Sequence, residues 1–392
     1  MSVRPRARDC GIAIGTLPTG PLNAITDVPG VRVGHVTLIE GEGPLVPGVG
    51  PVRTGITAIQ PHEGDVFNSN VAAAVHSLNG FGEVTGALQV REMGVIESPI
   101  LLTGSFNVAH AMDGALEWAM REDPQIGISN WGPNPIVAEC SDMYLSDVRG
   151  RAVTPQHVIA AIDAARGGPV AEGGVGGGTG MSCCEFKGGI GTSSRVIARE
   201  LSDSATHGYT VGALVMSNFG RREHLVIDGV PAGRELADWA APASVTDPEK
   251  LGTSIIIVLA TDAPLDPRQL DRLAVRAGAG LARAGGLFST SSGDFVIAFS
   301  NANRVPHHPT RRMVPQQIVA ESLMAGESWP GHVVINELFR AAAEATEEAI
   351  LNSLFAAETM VGRDGHVRHA LPIDEVVRLM HQYGRRGAHL PD

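Results

Sequence analysis

Residues 251–265 read Leu-Gly-Thr-Ser and then Ile-Ile-Ile-Val-Leu-Ala-Thr-Asp-Ala-Pro-Leu. Two hydroxyl side chains, Thr253 and Ser254, stand at the threshold of an unbroken apolar run. A hydroxyl is a weak nucleophile until a base stands beside it. A residue at a chain N-terminus carries that base itself, because an α-amine with a pKa of about 7.7–8.0 is partly neutral near pH 7. Ser254 or Thr253 can acquire such an amine only through a cut inside the chain. The polar, Pro-bearing segment 238–253 predicts an exposed loop in which a cut has room. A loop simply giving way to a strand is the plainer reading, since Ser and Thr commonly open strands. The residues alone leave both open.

Other chemistries find less support. The run 172–194, EGGVGGGTGMSCCEFKGGIGTSS, invites a phosphate-binding reading, but Thr179 stands where the last glycine of G-x-G-x-x-G belongs. No Gly-Lys dipeptide occurs, so the P-loop pattern is missing as well. The run predicts a tight loop whose backbone approaches something closely, which is compatible with lining an active site. There is no H-E-x-x-H, and the pairs His307/His308 and His366/His369 lack carboxylates or cysteines at ligand spacing, so no metal site is expected. Cys183 and Cys184 read as buried packing residues, and G-x-S-x-G is absent.

The elements that must position Ser254 are legible. A fully buried strand is expected over 254–260, with Asp266 and Pro267 starting a helix whose apolar face is Leu270, Leu273, Ala277 and Leu281. Gly285 and Gly286 should end it, and 294–302 should form another buried strand. Upstream, 209–219 and 224–233 both read as strands, while 107–121 and 155–166 read as helices, the second capped by Thr154 with Pro155 at its first position. Short β-like runs fill residues 1–60, 303–331 is irregular, and a long helix is expected over 333–357. The mixture does not alternate as βαβ units do, so the chain reads as one α/β domain of layered sheets and helices over 1–392.

The chain also resembles a known family. The segments 6–37, 172–181, 186–195 (FKGGIGTSSR), 209–220 (YTVGALVMSNFG), 254–265 (SIIIVLATDAPL) and 291–303 (SSGDFVIAFSNAN) are similar, in the same order, to the DmpA-like peptidases. That family contains L-aminopeptidase/D-amidase/esterases and β-peptidyl aminopeptidases. The resemblance implies a four-layer αββα sandwich and self-cleavage before a Ser, giving fragments 1–253 and 254–392 that stay together. It implies homo-oligomers, here a tetramer of processed heterodimers, and no metal or organic cofactor. Matching the motifs residue by residue puts the nucleophile on Ser254. Thr253 is the alternative if the cut falls after Gly252, but a one-residue shift along a strand turns the side chain to the other face. Asn218 matches the oxyanion-binding Asn, Tyr144 an aromatic near the nucleophile, and Glu139 the carboxylate that grips the substrate's free amine. Ser292 and Asp294 match a Ser and an acid that hydrogen-bond the nucleophile's surroundings.

Composition fits this expectation. Forty-three per cent apolar and 18% charged residues are ordinary for a globular chain, and a net charge of −12 argues against nucleic acid or an anionic membrane as the main partner. Four cysteines in 392 residues make no disulfide framework. The N-terminus lacks an apolar signal core, so the cytoplasm is expected. The expected activity is removal of N-terminal residues from short peptides, amino-acid amides or esters, with D- or β-amino-acid substrates implied by resemblance only. The rivals are an acyltransferase of the ornithine acetyltransferase type and an unprocessed, non-catalytic binding protein.

Overall fold

The computed structural model describes residues 4–201, 208–240, 254–321, 330–385 and 387–391. In chain order the strands are β1 (Arg32–Glu40), β2 (Val52–Gln60), β3 (Ser69–Gly80), β4 (Val95–Ile96), β5 (Ile100–Gly104), β6 (Ile136–Cys140), β7 (Ser182–Cys183), β8 (Phe186–Lys187), β9 (Gly189–Val196), β10 (Thr210–Asn218), β11 (Ser254–Thr261), β12 (Gly293–Pro306), β13 (Met360–Val361) and β14 (Val367–Arg368). The helices are α1 (Ala87–Met93), α2 (Val108–Glu122), α3 (Pro155–Asp163), α4 (Ala232–Glu235), α5 (Pro267–Arg283), α6 (Pro330–Ala356) and α7 (Ile373–Gln382).

Two sheets carry the architecture. One has four strands in the order β1-β2-β5-β6, and the other has six in the order β4-β3-β12-β11-β10-β9. The apolar run after Ser254 shows why they stack. In β11, Ile255, Ile257 and Leu259 pack toward α5 and α6, while Ile256, Val258 and Ala260 pack toward the other sheet. A strand covered on both faces needs apolar residues at every position, and so it reads as a continuous run rather than an alternation. Val137 of β6 packs with Ala111, Ala115, Val158 and Ile162 of α2 and α3, closing the outer face of the four-stranded sheet. The layers are therefore α2/α3, four strands, six strands, α5/α6, which is the expected αββα sandwich.

Local signals hold the helices where the sequence put them. Asp266 caps α5 by accepting from the Gln269 N–H at 2.6 Å, its own N–H meets the Gln269 side chain at 3.1 Å, and Pro267 occupies the first turn. Leu270, Leu273, Ala277 and Leu281 are all buried against the six-stranded sheet. Helix α3 starts at Pro155 after Thr154 and stops at Asp163, three residues short of the expected end. Strand β12 runs on to Pro306, into the segment expected to be irregular.

The expected strand over 224–233 does not form. Asp228 (φ 46°) and Gly229 (φ 77°) make a two-residue turn, with Ile227 and Val230 exchanging backbone hydrogen bonds at 3.0 and 2.9 Å. Positive φ at both central positions folds the chain back before a strand can extend. The apolar residues that suggested a strand, Leu225, Ile227 and Val230, are instead buried in the helix-side core. The expected exposed loop over 238–253 falls mostly on residues 241–253, which lie outside the described residues, as do 322–329 in the second irregular segment.

Candidate active site

Strand register brings the candidate residues to one end of the six-stranded sheet. Strands β10 and β11 are antiparallel, with Asn218 opposite Ser254. Strands β11 and β12 are parallel, with Ile255 opposite Asp294. Alternation from Ile256 and Val258 turns the Ser254 side chain inward between the sheets, where it is 7% exposed. Facing it is β6, which runs parallel to β5 and aligns Glu139 with Thr103. A cavity of about 290 Å3 opens between the two sheet ends, lined by Ser254, Glu139, Ser105, Ser141 and the turn Gly80–Gly82. Thr253, the alternative nucleophile, lies outside the described residues.

Each group in the cavity is held by a definite partner. The Gly293 N–H donates to Ser254 Oγ at 3.3 Å. Asn218 Oδ1 accepts from the Ser182 N–H at 2.8 Å, which fixes the orientation of the amide. Its Nδ2 then points the other way and donates to the Ser141 carbonyl at 2.9 Å, beside the cavity. An amide nitrogen has two hydrogens, so one is left over after this bond. Glu139 accepts from the Ser105 hydroxyl and, at 3.1 Å, from the Glu83 N–H. Burial raises the Glu139 pKa, while those two donors favour its anion.

Ser292 and Asp294 stand on the other side of the same sheet end. Asp294 alternates with Phe295, which faces the four-stranded sheet, so Asp294 faces the helices. With Ser292 it lines a separate cavity of about 130 Å3, against Phe219, Leu281 and Phe288. The Ser292 hydroxyl donates to Asp294 Oδ1 at 2.6 Å, and Oδ2 is buried with no partner. Burial pushes this carboxyl up to about 6 against the pull of the Ser292 hydrogen bond. Of the 291–294 stretch it is the Gly293 backbone, not Ser292 or Asp294, that touches the Ser254 hydroxyl.

Tyr144 lines neither cavity. Its ring is stacked on His366 at 4.5 Å, and the Arg368 guanidinium lies 3.6 Å from the ring centroid. Arg368 Nε donates to Ser182 Oγ at 2.8 Å, and the Ser182 N–H anchors Asn218. Tyr144 thus reaches the site through Arg368, Ser182 and Asn218. Sequence reasoning missed Ser105, Ser141, Ser182 and Arg368. Ser105 carried the one usable signal, a hydroxyl just past the strand Ile100–Gly104 and ahead of a helix.

The glycine run explains itself through close approach, and not through phosphate. A Cβ at Gly177 would sit 2.4 Å from the Leu102 carbonyl oxygen in one sheet, and a Cβ at Gly178 would sit 2.5 Å from Ile190 N in the other. The run is wedged between the sheets, where only glycine fits. Lys187, fully buried, ties it down by donating to the carbonyls of Gly178, Met181 and Gly188 at 3.0, 2.9 and 2.7 Å. Burial pulls this amine down to about 7. Cys183 and Cys184 are fully buried, as the packing reading expected.

Comparisons with known proteins place the chain in a family. The sequence profile of peptidase family S58 matches residues 23–368. The chain is 43% identical over 385 residues to the β-peptidyl aminopeptidase BapA of Sphingosinicella xenopeptidilytica, an alignment that covers 96% of this chain and 91% of that protein. Among solved structures it is similar to the β-aminopeptidase of a Burkholderia species, with 42% identity, a TM-score of 0.85 and coverage of 97% and 99%. It is also similar to the L-aminopeptidase D-Ala-esterase/amidase of Ochrobactrum anthropi, described as a prototype of the serine aminopeptidases and a variant of the Ntn hydrolase fold. There the identity is 38%, the TM-score 0.84 and the coverage again 97% and 99%. The chain belongs to peptidase family S58 and is an aminopeptidase on an N-terminal-nucleophile hydrolase fold.

Proposed function

We propose that the chain cuts itself between Thr253 and Ser254 and then works through the Ser254 hydroxyl on peptides with a free N-terminal amine. The observation that carries this reading is the shared cavity: Ser254 at the start of β11 and Glu139 near the end of β6 line one space between the sheets. In self-cleavage, Ser254 Oγ attacks the carbonyl carbon of residue 253. The Oγ proton goes to the leaving nitrogen, the peptide bond breaks, and an ester remains. Water hydrolyses the ester, leaving a carboxylate on residue 253 and a free α-amine and hydroxyl on Ser254.

That amine is then the general base. It takes the Oγ proton as the hydroxyl attacks the substrate's first carbonyl, and returns it to the leaving amine. Asn218 Nδ2 supplies a donor to the oxyanion, and water releases the acyl group from Ser254. Glu139 binds the substrate ammonium by a charge-assisted hydrogen bond. The bare Oδ2 of Asp294, one residue along from Ser254 on the neighbouring strand, is available to orient the new α-amine. The relatives' names support peptides that begin with a β-amino acid as substrates, alongside α-amino-acid amides and esters. They support hydrolysis over acyl transfer to an amine.

The same reading includes homo-oligomeric assembly and a reducing compartment such as the cytoplasm. Trp131 (90% exposed) and Ile128 place large apolar side chains on one surface loop, the kind of area an assembly covers. The four described cysteines are buried and unpaired. The decisive test is intact mass with N-terminal sequencing of the purified protein. The expected second fragment begins at Ser254. A fragment beginning at Thr253 would transfer the nucleophile, and an active chain that stays whole would end the proposal.

A further inference from the structure

Strand β3 has an edge that, among the described residues, no strand pairs with over part of its length. Strand β4 pairs only with Val71 and Ala72, and the last bond on that side runs from the Ala73 N–H to the Gly94 carbonyl at 2.9 Å. Backbone groups alternate sides along a strand, so the N–H and C=O of Val75 and Ser77 point outward as those of Ala73 do. Among the described residues none bonds them. Beside this edge lies a groove of about 820 Å3 whose lining includes every residue from Ala73 to Ser77. Side chains of consecutive strand residues face opposite ways, so a cavity that touches all five runs along the backbone edge.

The groove has a second wall, a closed end and an open one. Helix α1 stands across it with Leu88 and Arg91, and Pro267 lies at the end near Ala73. At the other end, Gly80 and Gly82 line both the groove and the cavity that holds Ser254 and Glu139. A Cβ at Gly82 would stand 3.1 Å from Glu139 Oε1 and 3.1 Å from Phe295, so glycine keeps this junction open.

Charge is arranged along it. His76 is paired with Asp271, and Arg268 is paired with Glu321. Glu83, at the junction, and Arg91, on the last turn of α1, make no ion pair among the described residues. A peptide with its amine near Glu139 and Glu83 and its carboxylate toward Arg91 matches that polarity.

We infer that the open edge of β3 and helix α1 form an extended-peptide site, in which the leaving-group portion of a peptide substrate adds a strand beside Val75 and Ser77 with its C-terminal carboxylate toward Arg91. This rests on the Ser254 aminopeptidase reading and adds the substrate class to it. Three strand spacings of about 4.8 Å separate β11 from a strand added outside β3, so about four extended residues are needed to reach the groove. Peptides of two to four residues fall short, and longer peptides engage it by strand addition.

The test uses the full-length protein, an amino-acid p-nitroanilide, and peptides of two to six residues that share one N-terminal residue. The expected result is a kcat/KM about tenfold higher for the hexapeptide than for the tripeptide, the worth of one or two edge hydrogen bonds and a carboxylate contact. N-methylation of alternate leaving-group amides should abolish the gain. Amidation of the hexapeptide C-terminus, or Arg91→Ala, should cut it about threefold, with the p-nitroanilide rate unchanged. A flat length series with normal p-nitroanilide turnover overturns the groove and leaves the aminopeptidase standing. A flat series together with a changed oligomeric state in Arg91→Glu identifies the edge as a contact between copies and overturns it too. Loss of turnover on every substrate strikes the Ser254 reading itself, and the groove falls with it.

Discussion

Two chambers flank the start of β11, and their carboxyl groups are treated differently. In front, in the cavity that Ser254 also lines, both oxygens of Glu139 have donors, the Ser105 hydroxyl and the Glu83 N–H. Behind, toward the helices, Asp294 has Ser292 on one oxygen and nothing on the other. Burial raises both carboxyls. A carboxylate with a full set of donors is ready to meet an incoming cation, and one with a bare, enclosed oxygen awaits a partner the fold must supply. The difference fits the division of labour in the proposed mechanism, where the front carboxylate would serve the substrate's amine and the rear one the amine that Ser254 would gain on cleavage.

The sharpest way to break that division is to remove the proposed nucleophile, which stands between the chambers. Ser254→Ala should leave a single uncut chain on denaturing mass spectrometry and lower hydrolysis by a factor on the order of 10⁶. Fragments from that variant would end the scheme. Next in size is the oxyanion donor: Asn218→Ala should cost about 10²–10³ in kcat once the chain is processed. Near-full turnover would clear Asn218.

The two carboxyls can then be separated directly. Glu139→Gln should slow free-amine substrates by about tenfold, leave ester hydrolysis and self-cleavage nearly intact, and shrink the preference over N-acetylated substrates. Asp294→Asn should instead act on pH. Without an anion nearby the Ser254 amine loses its proton more easily, so the acid limb of kcat/KM should move to lower pH. If both variants move the same parameter, the two chambers share one role and the comparison fails.

The last expected effect is on stability and leaves turnover aside: it concerns a third carboxyl, Asp142, which is buried with one oxygen unpartnered. Burial pushes it up to about 6 against the Thr54 hydrogen bond. Since its pKa is raised on folding, its favourable contribution is complete below the unfolded value of about 4 and is lost as pH rises through about 6. Asp142→Asn removes that loss. The variant's stability relative to wild type should grow between pH 4 and pH 7, by on the order of 3 kcal/mol in denaturant melts. A pH-independent difference would show that Asp142 is not buried as an acid.

Much of this was legible in the chain. The strand after Ser254, the cap at Asp266 and the apolar face of α5 follow from contacts within a few residues, and all three stand where sequence placed them. The segment 224–233 misled because hydrophobicity there signalled burial, and burial in a helix-side turn looks the same as burial in a strand. The donors around the site were illegible for a different reason. Arg368 meets Ser182 across 186 residues, and Ser105 meets Glu139 across 34. No local pattern encodes such a pair.

By itself, the sequence determined a β-branched run preceded by hydroxyls, the helix caps that frame it, and motifs long enough to name a family. These depend on backbone preference and on periodicity, which act over one or two turns of chain. Only the tertiary structure decided that Ser254 shares a cavity with Glu139 while Asp294 faces the helices. Side-chain facing depends on strand register, and on which sheet covers which side, so it exists only once distant strands have paired and stacked.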